Sequence, residues 1–163
     1  MTEFEKFEQI IRKLRSPGGC PWDREQTHES LKAPCIEEAA ELIGSINHYS
    51  RTGDSENMRE ELGDVLLQVV MHAVIAEEEG LFTMDDVIRT VSEKMIRRHP
   101  HVFGDAKADT SREVLQNWEL IKQQEKKGKA DEKQYLAEAF DEACELIDVA
   151  RKRKGFTARR QDV

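Results

Sequence analysis

The sequence predicts an all-α protein, a helical bundle folded as a single domain over residues 1–163. Three observations carry that expectation. Apolar residues recur with the 3.6-residue period of a helix, Pro and Gly fall between the periodic stretches, and no stretch alternates convincingly as a strand. A chain of 163 residues matches the usual size of one domain with its own apolar core.

Residues 3 to 15 form the first expected helix, which SPGG ends through Pro17, Gly18 and Gly19. The segment CPWDREQTHESLKA reads as a loop, and Pro34 suits the first turn of a second helix running to about Tyr49. Ile36, Ala39, Ala40, Ile43 and Ile46 make its apolar face. Thr52, Gly53 and Asp54 signal a turn, with Asp54 as the expected N-cap of a third helix through about Glu79. Leu62, Val65, Leu66, Val69, Val70, Ala73 and Val74 spread over a wide arc of that helix, which predicts burial on more than one side, in a bundle interior or at a subunit interface.

Gly80 ends the third helix, and Thr83 is the expected cap of a fourth through about Arg98, carrying Val87, Ile88, Val91 and Met95. His99 and Pro100 stop it, and HVFGDAKADT reads as a polar connection to a helix from Ser111 to about Lys126. KKGKADEK reads as a solvated hinge. A last amphipathic helix is expected over about 133 to 154, with Leu136, Ala139, Phe140, Ala143, Leu146, Ile147 and Ala150 as its stripe. No repeat strong enough for a solenoid is present.

Charged residues make up 36% of the chain and the net charge is -8, which argues against holding nucleic acid by broad phosphate neutralisation. A single nucleotide remains compatible, because a cation and a local basic group reverse the field inside one pocket. No apolar run reaches the roughly 20 residues of a membrane span, and MTEFEKFEQIIRKLR lacks the apolar centre of a signal peptide. A cytoplasmic location, without membrane association, is the expectation. Cys20, Cys35 and Cys144 have neither CxxC nor zinc-like spacing and read as buried small apolar residues, with Cys20 in its Gly/Pro turn the more exposed.

The chemistry is carried by two acid pairs. Glu38 with Glu41, and Glu61 with Asp64, are each spaced i,i+3, so each pair presents two carboxylates on one helical face. If the second and third helices pack antiparallel across NHYSRTGDSE, the four acids converge, and their repulsion requires a cation between them. Exposed acids at this spacing are common in an acidic protein, but both pairs here adjoin long apolar runs. All-oxygen ligation favours Mg²⁺, with Mn²⁺ as the alternative, over zinc. A bundle-type di-iron site normally uses Glu-x-x-His, which this chain lacks. Glu37 lies one step, about 100°, around the helix from Glu38, and reads as a water-orienting acid or a solvated one. Glu60 and His72 are weaker candidates.

A basic group follows. Lys94 and Arg98 share a face at i,i+4, and Lys122 stands i,i+4 from Trp118. A divalent cation with several positive side chains suits a polyphosphate, and Trp118 fits either a stacking surface or a packed core.

The ordered series CPWDREQTHESL, EEAAELIGSI, EELGDVLLQVVMHA, SEKMIRRHPHVFGD and NWELIKQQEK resembles the MazG nucleoside triphosphate pyrophosphohydrolases over about residues 5 to 126. The resemblance implies an all-α fold, a dimer or larger homo-oligomer, and Mg²⁺-dependent hydrolysis of an NTP or dNTP to the monophosphate and pyrophosphate. It also implies that Glu38, Glu41, Glu61 and Asp64 are metal ligands, with Glu37 at the adjacent motif acid. Glu37 or Glu38 would orient the water. Lys94, Arg98, Trp118 and Lys122 match positions that contact the nucleotide or its phosphates, and Trp22 and Asp23 match a feature near the mouth of the site. The ending departs from the family: LIDVARKRKGF is similar to its last helix, but TARRQDV replaces the usual aromatic close. Two other readings stay open, a relative restricted to dCTP, dUTP or phosphoribosyl-ATP, and a helical regulatory protein that binds nucleotides without turnover.

Overall fold

The computed structural model describes residues 1–127 and 132–156, and every regular element among them is a helix. The elements are α1 (Glu3–Arg15), α2 (Pro21–Glu25), α3 (Lys32–Thr52), α4 (Glu56–Glu78), α5 (Met84–Arg98), α6 (Pro100–Phe103), α7 (Ser111–Glu125) and α8 (Glu132–Arg153). The chain divides into two compact units, one of Met1–Thr83 with the chain from Phe140 onward, the other Met84–Ala139.

In the first unit α3 packs along α4, and α1 packs on α2 and α4. The hairpin between α3 and α4 turns at Gly53, whose φ of 77° lies in the left-handed region where a side chain would be strained. The turn differs from the expected capping: Ser55, not Asp54, occupies the N-cap position of α4. The Asp54 carboxylate instead accepts from the Glu56 backbone N–H at 3.0 Å, because a short acid satisfies its own backbone two residues on.

The core of this unit is the C-terminal half of α4, where Val70, Met71, Ala73, Val74, Ile75 and Ala76 are buried, together with Ile11 of α1 and Leu31. The wide apolar arc expected of this helix is thus real but unequal. Leu62, Leu66 and Val69, along its first and middle turns, are exposed. Ile43 and Ile46, part of the expected apolar face of α3, are exposed as well, and so are Cys35 and Cys144, which were expected to be buried, because each stands on a helix side that no other element among the described residues covers.

Arginines of α1 fasten the far end of α4. Arg12 Nη2 donates to Glu77 Oε2 at 2.6 Å, and Arg15 Nη2 donates to Glu78 Oε2 at 2.6 Å. Arg15 Nη1 also donates to the carbonyls of Asp23 and Gln26, so one guanidinium ties α1, α4 and the segment around α2. That segment was expected to be a loop; it contains the single turn α2, started by Pro21 at its first position. The segment is also fixed by His28, whose Nδ1 lies 2.8 Å from Nδ1 of His72 on α4.

In the second unit α5 packs against α6 and α7. The connection expected after α5 contains α6, again opened by a proline, Pro100. Thr110 and Glu113 form a reciprocal capping box at the start of α7. Of the expected hinge KKGKADEK, residues 128–131 lie outside the described residues, as does the tail TARRQDV. The α8 stripe is half-buried at Ala143, Leu146, Ile147 and Ala150, while Leu136, Ala139 and Phe140 are exposed.

Candidate metal centre

Two helices build the acid cluster. Glu37, Glu38 and Glu41 stand on α3 and Glu61 and Asp64 on α4, and the packing of these helices brings one carboxylate oxygen each of Glu38, Glu61 and Asp64 within 4.8 Å of one another. Glu61 is buried and the other two are half-buried. Burial first, then the negative charges of Glu41, Asp64 and Glu61, raises the Glu38 carboxyl above its usual range. Burial, then Glu41 and Asp64, does the same to Glu61, against a hydrogen bond from Asn57 that favours the ionised form. Carboxylates placed so that each disfavours ionisation of the next have the charge environment a divalent cation relieves.

The donor set fits Mg²⁺ or Mn²⁺. Oxygens bound to Mg²⁺ at about 2.1 Å are separated by about 3 Å when adjacent and about 4.2 Å when opposite. The observed spacing is of that order, so these three side chains are the ones that could hold such an ion. Among the described residues this is the one group of three or more His, Cys, Asp or Glu side chains close enough to share an ion.

The remaining two acids are near but differently engaged. Glu41 lies close enough to raise both Glu38 and Glu61, yet its Oε1 accepts a hydrogen bond from Lys154 Nζ. The same ammonium reaches Glu37 Oε1 at 3.1 Å, and Glu37 Oε2 pairs with the Arg153 guanidinium. Arg153 first, opposed by burial and helped by Lys154, holds the Glu37 carboxyl below its usual range.

Glu37, Glu41 and Glu61 line a cleft of about 410 Å³, together with Ser45, Asn57 and the end of α8 through Lys154 and Phe156. Phe156 reaches this wall because Gly155, at φ 76°, turns the chain back past the helix end, with the Phe156 N–H donating to the Arg151 carbonyl. Arg153 and Lys154 were not among the expected site residues. Their signal in the sequence was the basic run RKRK, which a solvated helix end explains equally well.

The expected phosphate-binding residues lie in the second unit. Arg98 Nη2 and Nε donate to Glu125 Oε2 at 2.6 and 3.1 Å, and the guanidinium carbon lies 5.2 Å from the centre of the Trp118 ring. His99 meets the same indole edge-on at 5.0 Å. Arg98 and Arg97 together hold Glu125 down to about 2. Lys122 pairs with Glu119 at 3.3 Å. Lys94 is half-buried on α5. Within this unit Arg98 and Trp118 are brought into contact, and a phosphate approaching Arg98 competes with Glu125.

The family model described as the MazG nucleotide pyrophosphohydrolase domain matches residues 26–103. A Thermotoga maritima nucleoside triphosphate pyrophosphohydrolase/pyrophosphatase MazG is 58% identical over 123 residues, 76% of this chain and 45% of that protein. The Escherichia coli K12 nucleoside triphosphate pyrophosphohydrolase is 43% identical over 131 residues, 80% of this chain and 48% of that one. An uncharacterised Bacillus subtilis protein, YabN, is 58% identical over 124 residues, 76% of this chain but 24% of its own length. The chain thus spans about a quarter to a half of the length of these curated relatives. No helix among the described residues is long and apolar enough to cross a membrane.

Proposed function

Since the chain carries a MazG nucleotide pyrophosphohydrolase domain and belongs to that family, we propose that it hydrolyses a nucleoside triphosphate between the α and β phosphates, in the presence of Mg²⁺, to give the monophosphate and pyrophosphate. The convergence of Glu38, Glu61 and Asp64 from two helices supports this reading most directly. In it, these three acids and Glu41 hold the ion. When bound, Mg²⁺ or Mn²⁺ supplies neutralisation of phosphate charge and lowers the pKa of bound water.

The side chains do the rest. Glu37 or Glu38 orients a water for in-line attack on the α phosphorus; the new P–O bond forms as the bond to the β-phosphate oxygen breaks, and the carboxylate accepts the water proton. Lys94, Arg98 and Lys122 neutralise phosphate oxygens, and Trp118 offers a face to the base. The whole chain, 1–163, acts in this reading as one domain, in a homodimer joined through apolar surface such as that of Leu62, Leu66 and Val69. A cytoplasmic place follows from the nucleotide substrate.

The test is chromatographic separation of products from a panel of NTPs and dNTPs with Mg²⁺ and with EDTA. Monophosphate plus pyrophosphate, lost with EDTA, is expected; diphosphate plus orthophosphate places cleavage at the wrong bond. Glu41→Gln and Asp64→Asn are expected to remove turnover while helicity persists, since each removes charge and nearly preserves shape. Turnover of dCTP, dUTP or phosphoribosyl-ATP alone marks a restricted relative. The pairing of Glu37 and Glu41 with cations gives the non-catalytic reading its own observation, and nucleotide binding with no product from any substrate selects it.

A further inference from the structure

We propose that Lys154 is an additional phosphate-binding residue of the site, one that shares Glu41 with the divalent ion and turns to the substrate phosphates when the ion takes that carboxylate. This rests on the reading above of the acid cluster as a metal centre.

Glu37, Glu41 and Glu61 line one cleft and Glu38 and Asp64 stand beside Glu61, five carboxylates in all, and Arg153 and Lys154 pair with Glu37 and Glu41. With these groups and Arg151, which lines the same cleft, all ionised, the local sum is -2, and a triphosphate adds about -4 near neutral pH. One divalent ion leaves that total strongly negative, so cations within reach of the phosphates are needed as well. Lys154 is placed for this. Its side chain is 35% exposed, and it lines the same cleft as Glu41 and Glu61.

Its chemistry also suits the exchange. A lysine is a compact charge on a flexible four-carbon stem with three donors, so it moves between carboxylate and phosphate without remaking a planar fork. Lys154 lies just past the last residue of α8 with its N–H still donating to the Ala150 carbonyl at 3.0 Å, so the exchange is a rotation of the side chain on a fixed backbone. A carboxylate oxygen that binds a divalent ion is a poorer acceptor for an ammonium, and a phosphate in the cleft is the better partner. Arg153 pairs with Glu37 and keeps α8 fastened to α3 during the exchange.

This predicts effects of opposite sign from one substitution. The full-length chain and its Lys154→Met variant are titrated with Mn²⁺ alone by electron paramagnetic resonance, and with inorganic pyrophosphate in excess Mg²⁺ by calorimetry. Removal of a competing charge a few ångströms from the ion is expected to tighten Mn²⁺ binding about fivefold to tenfold. Loss of a phosphate contact is expected to weaken pyrophosphate binding about tenfold. A lysine that only anchored α8 would weaken both or change neither, and either result overturns the proposal. Wild-type protein that binds Mn²⁺ but shows no sign difference between the two titrations overturns the Lys154 role alone. Failure of the wild type to bind Mn²⁺ overturns it together with the metal reading. Melting curves accompany each titration, and Lys154→Gln carries the same test if the Met variant does not fold.

Discussion

Substitution of Glu61 by Gln tests whether the acid cluster is held together at a cost to the fold. Carboxylate oxygens of Glu38, Glu61 and Asp64 lie within 4.8 Å of one another, and two unit charges at that distance repel by about 3.5 kcal/mol at an effective dielectric of 20. Gln removes two of these pairs at once. It keeps the shape of the side chain and an oxygen able to accept the hydrogen bond that Asn57 gives Glu61. Rotation of the acids away from one another, and screening by salt, reduce the relief to about 1–2 kcal/mol. For a chain of this size that raises Tm by roughly 2 to 8 °C without divalent ions. The sign reverses with metal. Wild-type protein in Mg²⁺ at a hundred times Kd gains about 2.7 kcal/mol, and the variant gains little. Calorimetric melting in EDTA and in MgCl₂, at matched ionic strength, reads both effects. A variant less stable than wild type in EDTA would refute the reasoning, because Glu61 would then be a structural acid whose charge the fold requires.

Three further outcomes are expected. Arg15→Met removes a guanidinium that is 6% exposed and that satisfies the Asp23 and Gln26 carbonyls while pairing with a half-exposed Glu78; urea denaturation should show a loss of about 3 kcal/mol, against less than about 1 for Glu78→Gln, and a loss below 1 for Arg15→Met defeats the assignment. Glu125 has a depressed pKa of about 2 through Arg98 first and Arg97 second, so its stabilising contribution is complete above about pH 4.5 and fades as pH falls toward 2. In a Trp22→Phe background, Trp118 emission should change over that acid range, and Glu125→Gln should show the acid emission already at pH 7; unchanged emission in that variant rejects the coupling of Arg98 to the indole. The exposed line Leu62, Leu66 and Val69 predicts particles of twice 18.8 kDa by light scattering, reduced to monomers by Leu66→Glu, and wild-type particles of 18.8 kDa remove the dimer.

What the sequence discloses here divides by the distance over which each feature is decided. The long helices were legible because period and punctuation are local: Glu3–Arg15 ends at SPGG, and Ser111 opens α7 behind a Thr110 cap. The single turns α2 and α6 were missed for the same reason, since four or five residues complete no apolar period and a leading proline reads as a break before it reads as a start. Ile43 and Ile46 show a further limit, because periodicity identifies an apolar face without naming what covers it.

The acid cluster follows this logic one step further. An i,i+3 pair fixes two carboxylates on a helical face, and the short turn at Gly53 fixes the antiparallel partner, so the meeting of Glu38 with Glu61 and Asp64 was readable from about thirty residues of local pattern. The engagement of Glu41 was not, because the lysine that holds it stands 113 residues along the chain. No spacing rule connects a carboxylate in α3 with an ammonium beyond α8; only the packing of the last helix does. In the proposed reading the opposing demands on Glu41, ligand to an ion and partner to Lys154, therefore arise from tertiary structure, and under that reading the C-terminal basic run takes part in the chemistry of the site.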